Sequence, residues 1–319
     1  MGAPLLPTAN EKNGRTLPRA MTFQENETVY IEDGSGKRHW VKVAPGMVRV
    51  QSLGAIDGSR FLGMEDGDVL TLMGKEYTVF RPGLLELMTS LDRGAQVITP
   101  KDAATILTHC DVKCGDRVLE VGAGSGGLTT ALLHSVAPEG AVHTLELKEE
   151  NAVRAWKNVS RTGLDAFWTY SIGDARSMEP PEGPFDVLTM DMPDPWLALD
   201  NLSPVLRPGG RACAYVPNMN QVESTVFALR ERGFADVYAL ENLQRMLEVH
   251  PGGVRPAFDM LGHTGYMVFA RKRAVKPRFP HETSFHPALF RCISIAVSKS
   301  IIYKYEVRHF TSFKLSRGL

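Results

Sequence analysis

The sequence predicts a doubly wound α/β fold with a mostly parallel seven-stranded sheet, preceded by a small antiparallel β-domain. Three observations predict it. From about residue 117 onward, short apolar segments alternate with helix-length intervals, and a glycine-rich loop follows the first apolar segment. Before residue 84, short alternating segments are broken by Gly and Pro. Strands that alternate with helices form parallel βαβ units, whereas closely spaced strands between turns form antiparallel sheets.

The chain divides into four segments by composition. Residues 1–20 are Pro-rich and poorly amphipathic, as expected of a disordered tail, and residues 21–83 form the small β-domain. Residues 84–273 hold the alternation of strands and helices and form the predicted catalytic domain. Residues 274–319 fit neither domain and are a basic C-terminal extension to which the sequence assigns no role.

Seven segments in the catalytic domain have the pattern of strands. They are residues 117–123, 141–147, 167–173, 185–192, 211–217, 236–242 and 265–272. Helical patterns lie around the first five strands. One precedes them at residues 101–110, three lie between them at residues 128–137, 149–160 and 197–206, and one follows them at residues 220–233.

Composition excludes several classes of protein. Apolar runs of about 18 residues, which a membrane span needs, do not occur, and the N-terminus lacks the pattern of a secretory signal, so we expect a cytoplasmic protein without a membrane partner. The four cysteines lack the paired spacing of a zinc site, and no metal is expected.

Charge is distributed unevenly along the chain. Residues 100–270 carry 14 basic and 22 acidic side chains, whereas residues 271–319 carry 11 basic and 2 acidic side chains. Nucleic acid would therefore need a basic surface from the extension, the small domain or a neighbouring subunit.

The first chemical signal is the loop that follows the strand at 117–123. It runs from Glu120 through Gly122, Gly124, Ser125 and Gly126 to Gly127. Glycines allow a sharp turn and a close approach of the backbone to a ligand. The spacing also fits the dinucleotide fingerprint, so the loop alone leaves the cofactor open.

Acidic residues end the next two strands. Glu146 is placed to accept hydrogen bonds from ribose hydroxyls, which NAD would also require. Asp174 is placed to accept from an adenine amino group, or else it caps the following helix. Signals at successive carboxyl ends of strands indicate one ligand across that edge of the sheet. The triple pattern resembles class I S-adenosylmethionine-dependent methyltransferases.

The second signal is Asp191-Met192-Pro193-Asp194-Pro195-Trp196, at the end of the fourth strand. Two prolines restrict the loop, so a carboxylate and an aromatic ring would project rigidly beside the cofactor. The alternative is a Pro-rich turn with Trp196 packed in the core. An Asp without a partner is costly to bury, which favours the functional interpretation.

Over residues 25–272 the chain resembles the tRNA (adenine-N1)-methyltransferase family. The resemblance rests on the small β-domain, Thr99-Pro100-Lys101-Asp102, the 124–128 loop, the 191–196 loop, Tyr215-Val-Pro-Asn218 with Gln221, and Gly262-His263-Thr264-Gly265-Tyr266. It implies cofactor contacts at Ile98, the 124–127 loop, Glu146, Asn151, Asp174 and Asp191. At position 151 the family often has Arg, so Asn151 departs from its pattern. It also implies S-adenosylmethionine, a homotetramer, and methylation of adenosine 58 in the tRNA T-loop, with the preceding adenosine modified by some archaeal members.

For that reaction Asp191 is the predicted catalytic residue. It would accept a hydrogen bond from the exocyclic amino group and stabilise the positive charge that develops when N1 is methylated. Tyr215 or Trp196 would stack on or border a flipped base, and Asn218, Gln221 and His263 complete the predicted substrate contacts. For His263 a structural role before the last strand, or a role in a subunit interface, stays open.

Four alternative functions stay open. They are a methyltransferase for another amino nitrogen of nucleic acid, a small-molecule methyltransferase, a non-catalytic RNA-binding subunit and an NAD-dependent oxidoreductase. A non-catalytic subunit should lack the glycines and the acids at 146 and 191, all of which are present.

Overall fold

A computed structural model describes residues 22–94 and 96–274 of the 319-residue chain. The predicted tail at 1–20 and the extension beyond residue 274 lie outside the described residues. In the described part, no helix combines the length and apolar character that a membrane crossing requires.

The N-terminal region is built from antiparallel strands, as predicted. They are β1 (Thr28–Asp33), β2 (Arg38–Lys42), β3 (Met47–Val50), β4 (Gly54–Asp57), β5 (Val69–Leu72) and β6 (Lys75–Phe80). Four strands form a sheet in the order β2-β1-β6-β5, and β3 pairs with β4. Phe23, Ile31, Phe61 and Val79 are almost fully buried at its centre. This region therefore has its own apolar core.

The rest of the described chain alternates between helices and strands. Its helices are α1 (Leu84–Thr89), α2 (Pro100–His109), α3 (Gly127–Val136), α4 (Glu149–Val159), α5 (Pro195–Leu202) and α6 (Met219–Glu231). Its strands are β7 (Arg117–Val121), β8 (Ala141–Glu146), β9 (Trp168–Ile172), β10 (Phe185–Asp191), β11 (Leu206–Val216), β12 (Ala235–Glu241), β13 (Leu247–His250), β14 (Gly253–Pro256) and β15 (Tyr266–Arg271).

Seven of these strands form one sheet in the order β12-β15-β11-β10-β7-β8-β9. The pairs from β9 across to β11 are parallel, and β15 is antiparallel to both of its neighbours. The predicted fold class is confirmed, and every predicted strand is present. The order reverses at β7, where β8 lies on one side and β10 on the other, and such a switch point forms the crevice in which α/β proteins bind ligands.

Apolar layers cover both faces of the sheet, because neighbouring residues of a strand point to opposite faces. Val187 belongs to the layer that contains α2 and α3, whereas Leu188 and Met190 belong to the layer that contains α5 and α6. All three side chains are at most 2% exposed. A strand buried on both faces explains why the segments read as nearly continuous apolar runs.

Two features were not predicted. Strand β11 begins at Leu206, five residues before the predicted segment, because its first part pairs with the start of β10 across an irregularity in the register. Strands β13 and β14 form a separate hairpin between β12 and β15. Since β12 runs parallel to β11, this hairpin leaves the sheet at the same edge as the loops that follow β7, β8, β10 and β11.

Candidate active site

The glycine loop lies directly against the end of β10. Gly122 has a φ of +87°, and a Cβ atom on it would come within 2.2 Å of the carbonyl oxygen of Asp191. Any side chain at 122 would therefore separate the loop from Asp191, the residue predicted to be catalytic. At Gly124, by contrast, a Cβ would meet no atom within 4 Å, so the loop opens there. Gly122 thus allows the loop to contact Asp191, whereas Gly124 leaves open space beside the same turn.

Glu146, at the end of β8, fixes the loop from the other side. Its Oε2 accepts the N–H groups of Ala123 at 2.8 Å and Gly124 at 3.2 Å. Its Oε1 accepts the N–H of Lys148 at 2.9 Å and the side-chain amide of Asn151 at 3.3 Å. A carboxylate has about four acceptor positions. A ribose hydroxyl would therefore replace one of the two longer bonds, from Gly124 or Asn151.

The segment before α2 packs on the glycine loop. A Cβ on Gly127 would meet Val97 at 2.6 Å, and Ile98 is 4% exposed. A Cβ on Gly126 would meet Ala155 of α4 at 3.2 Å. Ser125 is engaged within the chain: its hydroxyl accepts the N–H of Gly94 at 3.1 Å. These contacts place all the predicted loop residues together, in a backbone held from three directions.

Glu120 is a buried acid beneath the loop and is 1% exposed. Its Oε2 accepts the hydroxyls of Thr129 and Thr144, each at 2.7 Å, and its Oε1 has no hydrogen-bond partner among the described residues. Burial raises the pKa of Glu120 to about 7, against the opposing effect of the two threonine hydroxyls. Glu120 thus lies in the core next to the loop, where burial favours its neutral form.

Asp191 ends β10 in register with Tyr215 of β11. Within the described residues it forms no ion pair. Burial, and then the negative charge of Glu146, raise the pKa of Asp191 to about 7. A carboxylate that lacks a cation and lies among other acids is costly in a folded protein. Such a group is a strong indicator of function, because a cationic ligand would relieve the repulsion.

Asp174, predicted to contact adenine, forms an ion pair. Both of its oxygens accept from Arg176, with the shortest distance 2.7 Å, and Arg176 also lies 3.8 Å from Asp194. Hydrogen bonds from Arg176 lower the pKa of Asp174 to about 2. Asp174 therefore stays ionised, but an adenine amino group would have to share its oxygens with Arg176.

The 191–196 loop is held by residues at the start of α6. The Gln221 side-chain amide donates to the Pro193 carbonyl, and Gln221 Oε1 is buried without a partner among the described residues. Asn218 caps α6 by accepting the N–H of Gln221 at 3.1 Å. Trp196 is half-buried and packs against the apolar layer of α5 and α6. Gln221 and Asn218 thus border the loop, and Trp196 contributes to the core as well as to the rim.

Tyr215 lies in a buried network of hydrogen bonds around Asp102, which was not predicted from the sequence. Asp102 is fully buried and accepts from Thr99, Lys101, Thr264 and Tyr215, the last at 3.2 Å. Burial, and then the charge of Asp102, raise the pKa of Tyr215. A Cβ on Gly265 would come 2.3 Å from the Tyr215 ring. The motifs Thr99–Asp102 and Gly262–Tyr266 were visible in the sequence, but their mutual contact depends on the fold.

His263 bridges two strand ends. Its Nδ1 donates to Glu241 at 2.7 Å and its Nε2 to the Pro217 carbonyl at 2.9 Å. Both partners are acceptors, so the doubly protonated ring satisfies both, and the hydrogen bond to Glu241 raises the pKa of His263. This geometry gives His263 a structural function, and its predicted contact with substrate stays a prediction. The described residues contain no group of His, Cys, Asp and Glu side chains arranged to hold a metal ion.

The family model described as tRNA methyltransferase complex GCD14 subunit matches residues 81–254. The tRNA (adenine(57)-N(1)/adenine(58)-N(1))-methyltransferase TrmI of Methanocaldococcus jannaschii is 31% identical over 267 residues, which cover 76% of this chain and 93% of that protein.

Solved structures agree with the fold. A SAM-dependent O-methyltransferase from Thermotoga maritima superposes with a TM-score of 0.72 and 29% identity, over 80% of this chain and 96% of that chain. The tRNA (m1A58) methyltransferase TrmI from Aquifex aeolicus gives a TM-score of 0.65 and 30% identity, over 79% and 98%. The match to the family model extends over the glycine loop, Glu146 and the 191–196 loop, and the chain belongs to the tRNA methyltransferase complex GCD14 subunit family.

Proposed function

We propose that this enzyme transfers a methyl group from S-adenosylmethionine to N1 of adenosine 58 in the T-loop of tRNA, with adenosine 57 as an additional target to be tested. The observation that carries the proposal is Asp191, a carboxylate that has no ion-pair partner in the described part of the chain and is held against the glycine loop by the close approach at Gly122. The M. jannaschii relative, named for adenines 57 and 58, supports the acceptor.

The residues at the site fit S-adenosylmethionine. Glu146 and Asp191 place negative charge on both sides of the glycine loop, and Glu120 lies beneath it. When bound, the cofactor supplies a methyl group on a positively charged sulfur, and an acidic site favours such a cation. The open space at Gly124 would admit the ligand to the loop. Glu146 and Asn151 would hold the ribose, Asp174 the adenine amino group, and Ile98 with the 124–127 loop the remainder.

Asp191 is the residue proposed to act on the target base. N1 of adenine carries an in-plane lone pair at neutral pH, so the enzyme needs to orient the base rather than remove a proton. The Asp191 carboxylate would accept a hydrogen bond from the exocyclic amino group. That bond becomes stronger as positive charge develops on the ring, so it stabilises the transition state more than the ground state.

The neighbouring side chains are proposed to define the base pocket. Gln221 restrains the Pro193 carbonyl and has an acceptor oxygen without a partner among the described residues. Asn218 precedes it at the start of α6. Trp196 ends the loop that begins at Asp191, and Tyr215 is the partner of Asp191 on the neighbouring strand. Tyr215 has its hydroxyl on Asp102, so it would border the base rather than move toward it. His263 would support the same edge.

The chemistry is proposed to reside in residues 84–273, with residues 21–83 as an accessory β-domain. We also propose that the chain acts as a homotetramer in the cytoplasm. The apolar surface of the β13–β14 hairpin supports self-association: Leu247, Val249 and Val254 are each more than 60% exposed, as is Phe258 beyond it. An isolated two-stranded hairpin is only marginally stable, so a partner is expected to cover it. Light scattering of the purified chain would test the tetramer.

An acceptor panel tests the function. Labelled S-adenosylmethionine is supplied with unmodified tRNA, a DNA hairpin or a hydroxyl-bearing small molecule. The last acceptor is chosen because the T. maritima neighbour is named an O-methyltransferase. We expect label in tRNA alone. Transfer only to DNA or to the small molecule would replace the proposed acceptor, and binding of tRNA without any transfer would favour a non-catalytic subunit.

A further inference from the structure

Three arginines meet at the edge of the seven-stranded sheet that lies opposite the candidate active site. They are Arg207 and Arg211 of β11 and Arg271 of β15, here called the arginine cluster. Arg211 and Arg271 are direct partners in the antiparallel register of β11 and β15. Like charges directly opposite each other on neighbouring strands destabilise a sheet. The cluster therefore requires an explanation.

Two of the three guanidinium groups lack a carboxylate partner among the residues that the structure describes. Arg207 donates to Asp186 at 2.6 Å. Arg211 donates to the carbonyl of His109 at 3.3 Å, and Arg271 to the carbonyl of Gly209 at 3.2 Å. Within the described residues, neither Arg211 nor Arg271 forms an ion pair. Each guanidinium has five N–H donors, so most of the donors on this pair remain available to an acceptor.

The acids nearby are already engaged. Asp186 also accepts the N–H of Arg117 at 2.8 Å, and the pKa of Asp186 is lowered by these hydrogen bonds despite partial burial. Asp116 accepts the N–H of Lys113 at 3.0 Å, and Asp111 lies 3.2 Å from the Lys113 ammonium. These carboxylates accept hydrogen bonds from other donors, and none of them forms an ion pair with Arg211 or Arg271 among the described residues.

A small cavity lies between these groups. Its volume is about 60 Å³, and its walls include Lys113, Asp116, Asp186, Arg207, Arg211 and Arg271. Gly209, with a φ of +79°, turns the chain at its rim, where a Cβ would come 3.4 Å from Arg207 and 4.0 Å from Arg271. A cavity needs about 10–15 Å³ of such space to hold one water molecule, so this one has room for a few waters or one small oxyanion.

We propose that the arginine cluster binds one phosphate-type oxyanion between Arg211 and Arg271. Guanidinium groups recognise such oxyanions through paired N–H donors, and a shared anion removes the repulsion across the strands. The site is separate from the active site: Tyr215, which is level with Asp191, lies four residues along β11 from Arg211, or about 13 Å at about 3.3 Å per residue. The anion is either free inorganic phosphate or a phosphodiester of bound tRNA, and only the second source rests on the proposed function.

Phosphate binding tests the site directly. The full-length chain is titrated with inorganic phosphate at constant ionic strength, and thermal unfolding is followed. We expect a saturable rise in Tm for the wild type and for the control Arg49→Gln, which removes an exposed arginine of β3. In Arg211→Gln and Arg271→Gln the apparent Kd for phosphate should rise at least tenfold, and Arg211→Lys should recover part of the affinity. Melting without phosphate shows whether each variant folds.

Binding to tRNA distinguishes the two sources. If the anion is a tRNA phosphodiester, Arg211→Gln and Arg271→Gln should raise the KM for tRNA with kcat unchanged, and lower the salt slope of binding by about one. If only the phosphate titration changes, free phosphate is the ligand. Variants that match Arg49→Gln in both experiments overturn the site. A wild-type chain inactive toward tRNA contradicts the proposed function but leaves the phosphate titration valid.

Discussion

The two edges of the seven-stranded sheet have opposite electrostatic character. At the carboxyl edge, Asp191 lies beside Glu146 and above Glu120, and Asp191 has no ion-pair partner among the described residues. At the other edge, Arg211 is paired in register with Arg271, and neither forms an ion pair within residues 22–94 and 96–274. A protein generally pairs its charges where stability alone is at stake. Within the described residues, Asp191 on one edge and Arg211 with Arg271 on the other lack ion-pair partners, which supports the proposed cationic ligand at the first edge and the proposed anionic ligand at the second.

The carboxyl edge also contains acids that are paired, among them Asp174 and Asp102. Asp102 is buried and contacts the Lys101 ammonium at 2.7 Å, together with three hydroxyl groups. The difference between Asp102 and Asp191 separates structural from functional charge. Removing Asp102 should impair folding, whereas removing Asp191 should impair chemistry. The following predictions test that distinction and the contrast between the edges.

The largest effect is expected from Asp102→Ala. It leaves the Lys101 ammonium, which is 10% exposed, without its carboxylate, and breaking a buried ion pair costs about 3–5 kcal/mol. Urea unfolding measures the loss. Replacing both residues, in Lys101→Met with Asp102→Leu, should recover part of the stability. Equal stability of the single variant and the wild type would show that the network is not structural.

Asp191→Ala should lower the single-turnover rate of methyl transfer by about 100–1,000-fold, the scale seen when one transition-state hydrogen bond is lost. The Kd for S-adenosylmethionine should change far less, and the unfolding free energy should not fall. Asp200→Ala is the matched control, because Asp200 pairs with Arg232 on the surface. A rate near that of the wild type would remove Asp191 from the mechanism.

Activity should depend on pH through Asp191. Its pKa of about 7 lies above the ordinary value, so the acceptor form is present above pH 7 and is lost as the pH falls. We expect kcat/KM for the cofactor to drop about tenfold per pH unit below 7, as for one ionising group. Glu120→Gln should retain this fall of kcat/KM at low pH, because Glu120 lies beneath the site and does not contact the target adenine. If Glu120→Gln removes the fall of kcat/KM below pH 7, Glu120 is the titrating group.

The smallest effect is expected on the protein surface. Asp200 is exposed, and its hydrogen bonds from Arg232 lower its pKa. Exposed ion pairs contribute little to stability, so Asp200→Ala should unfold at nearly the wild-type temperature and retain activity. A marked loss of either would show that charge is important throughout the fold rather than at the two edges.

Much of this architecture was predictable from local patterns. The seven strands of the large sheet follow from apolar runs between helical intervals, and Gly122 marks the turn because its conformation and its approach to Asp191 both exclude a side chain. The hairpin β13–β14 was not predicted, since its exposed apolar residues face away from the core and do not follow the pattern of a buried strand.

Contacts between distant segments were the part that could not be predicted. Asp102 meets Thr264 across 162 residues, and Arg211 meets Arg271 only through the antiparallel insertion of β15. Asp174 illustrates a different limit: its position at a strand end was visible, but its ion pair with Arg176 depends on side-chain geometry. The two distant pairings are set by topology and packing, which local sequence does not encode.

The most direct test of the central claim is the position and atom of the methyl group in the product. Unmodified tRNA is methylated by the wild-type chain with S-adenosylmethionine, digested, and analysed by mass spectrometry against standards for N1- and N6-methyladenosine. We expect N1-methyladenosine in the T-loop at adenosine 58, and its loss when that adenosine is replaced. Methylation at N6, or at N1 outside the T-loop, would contradict the assignment of the carboxyl edge to this reaction.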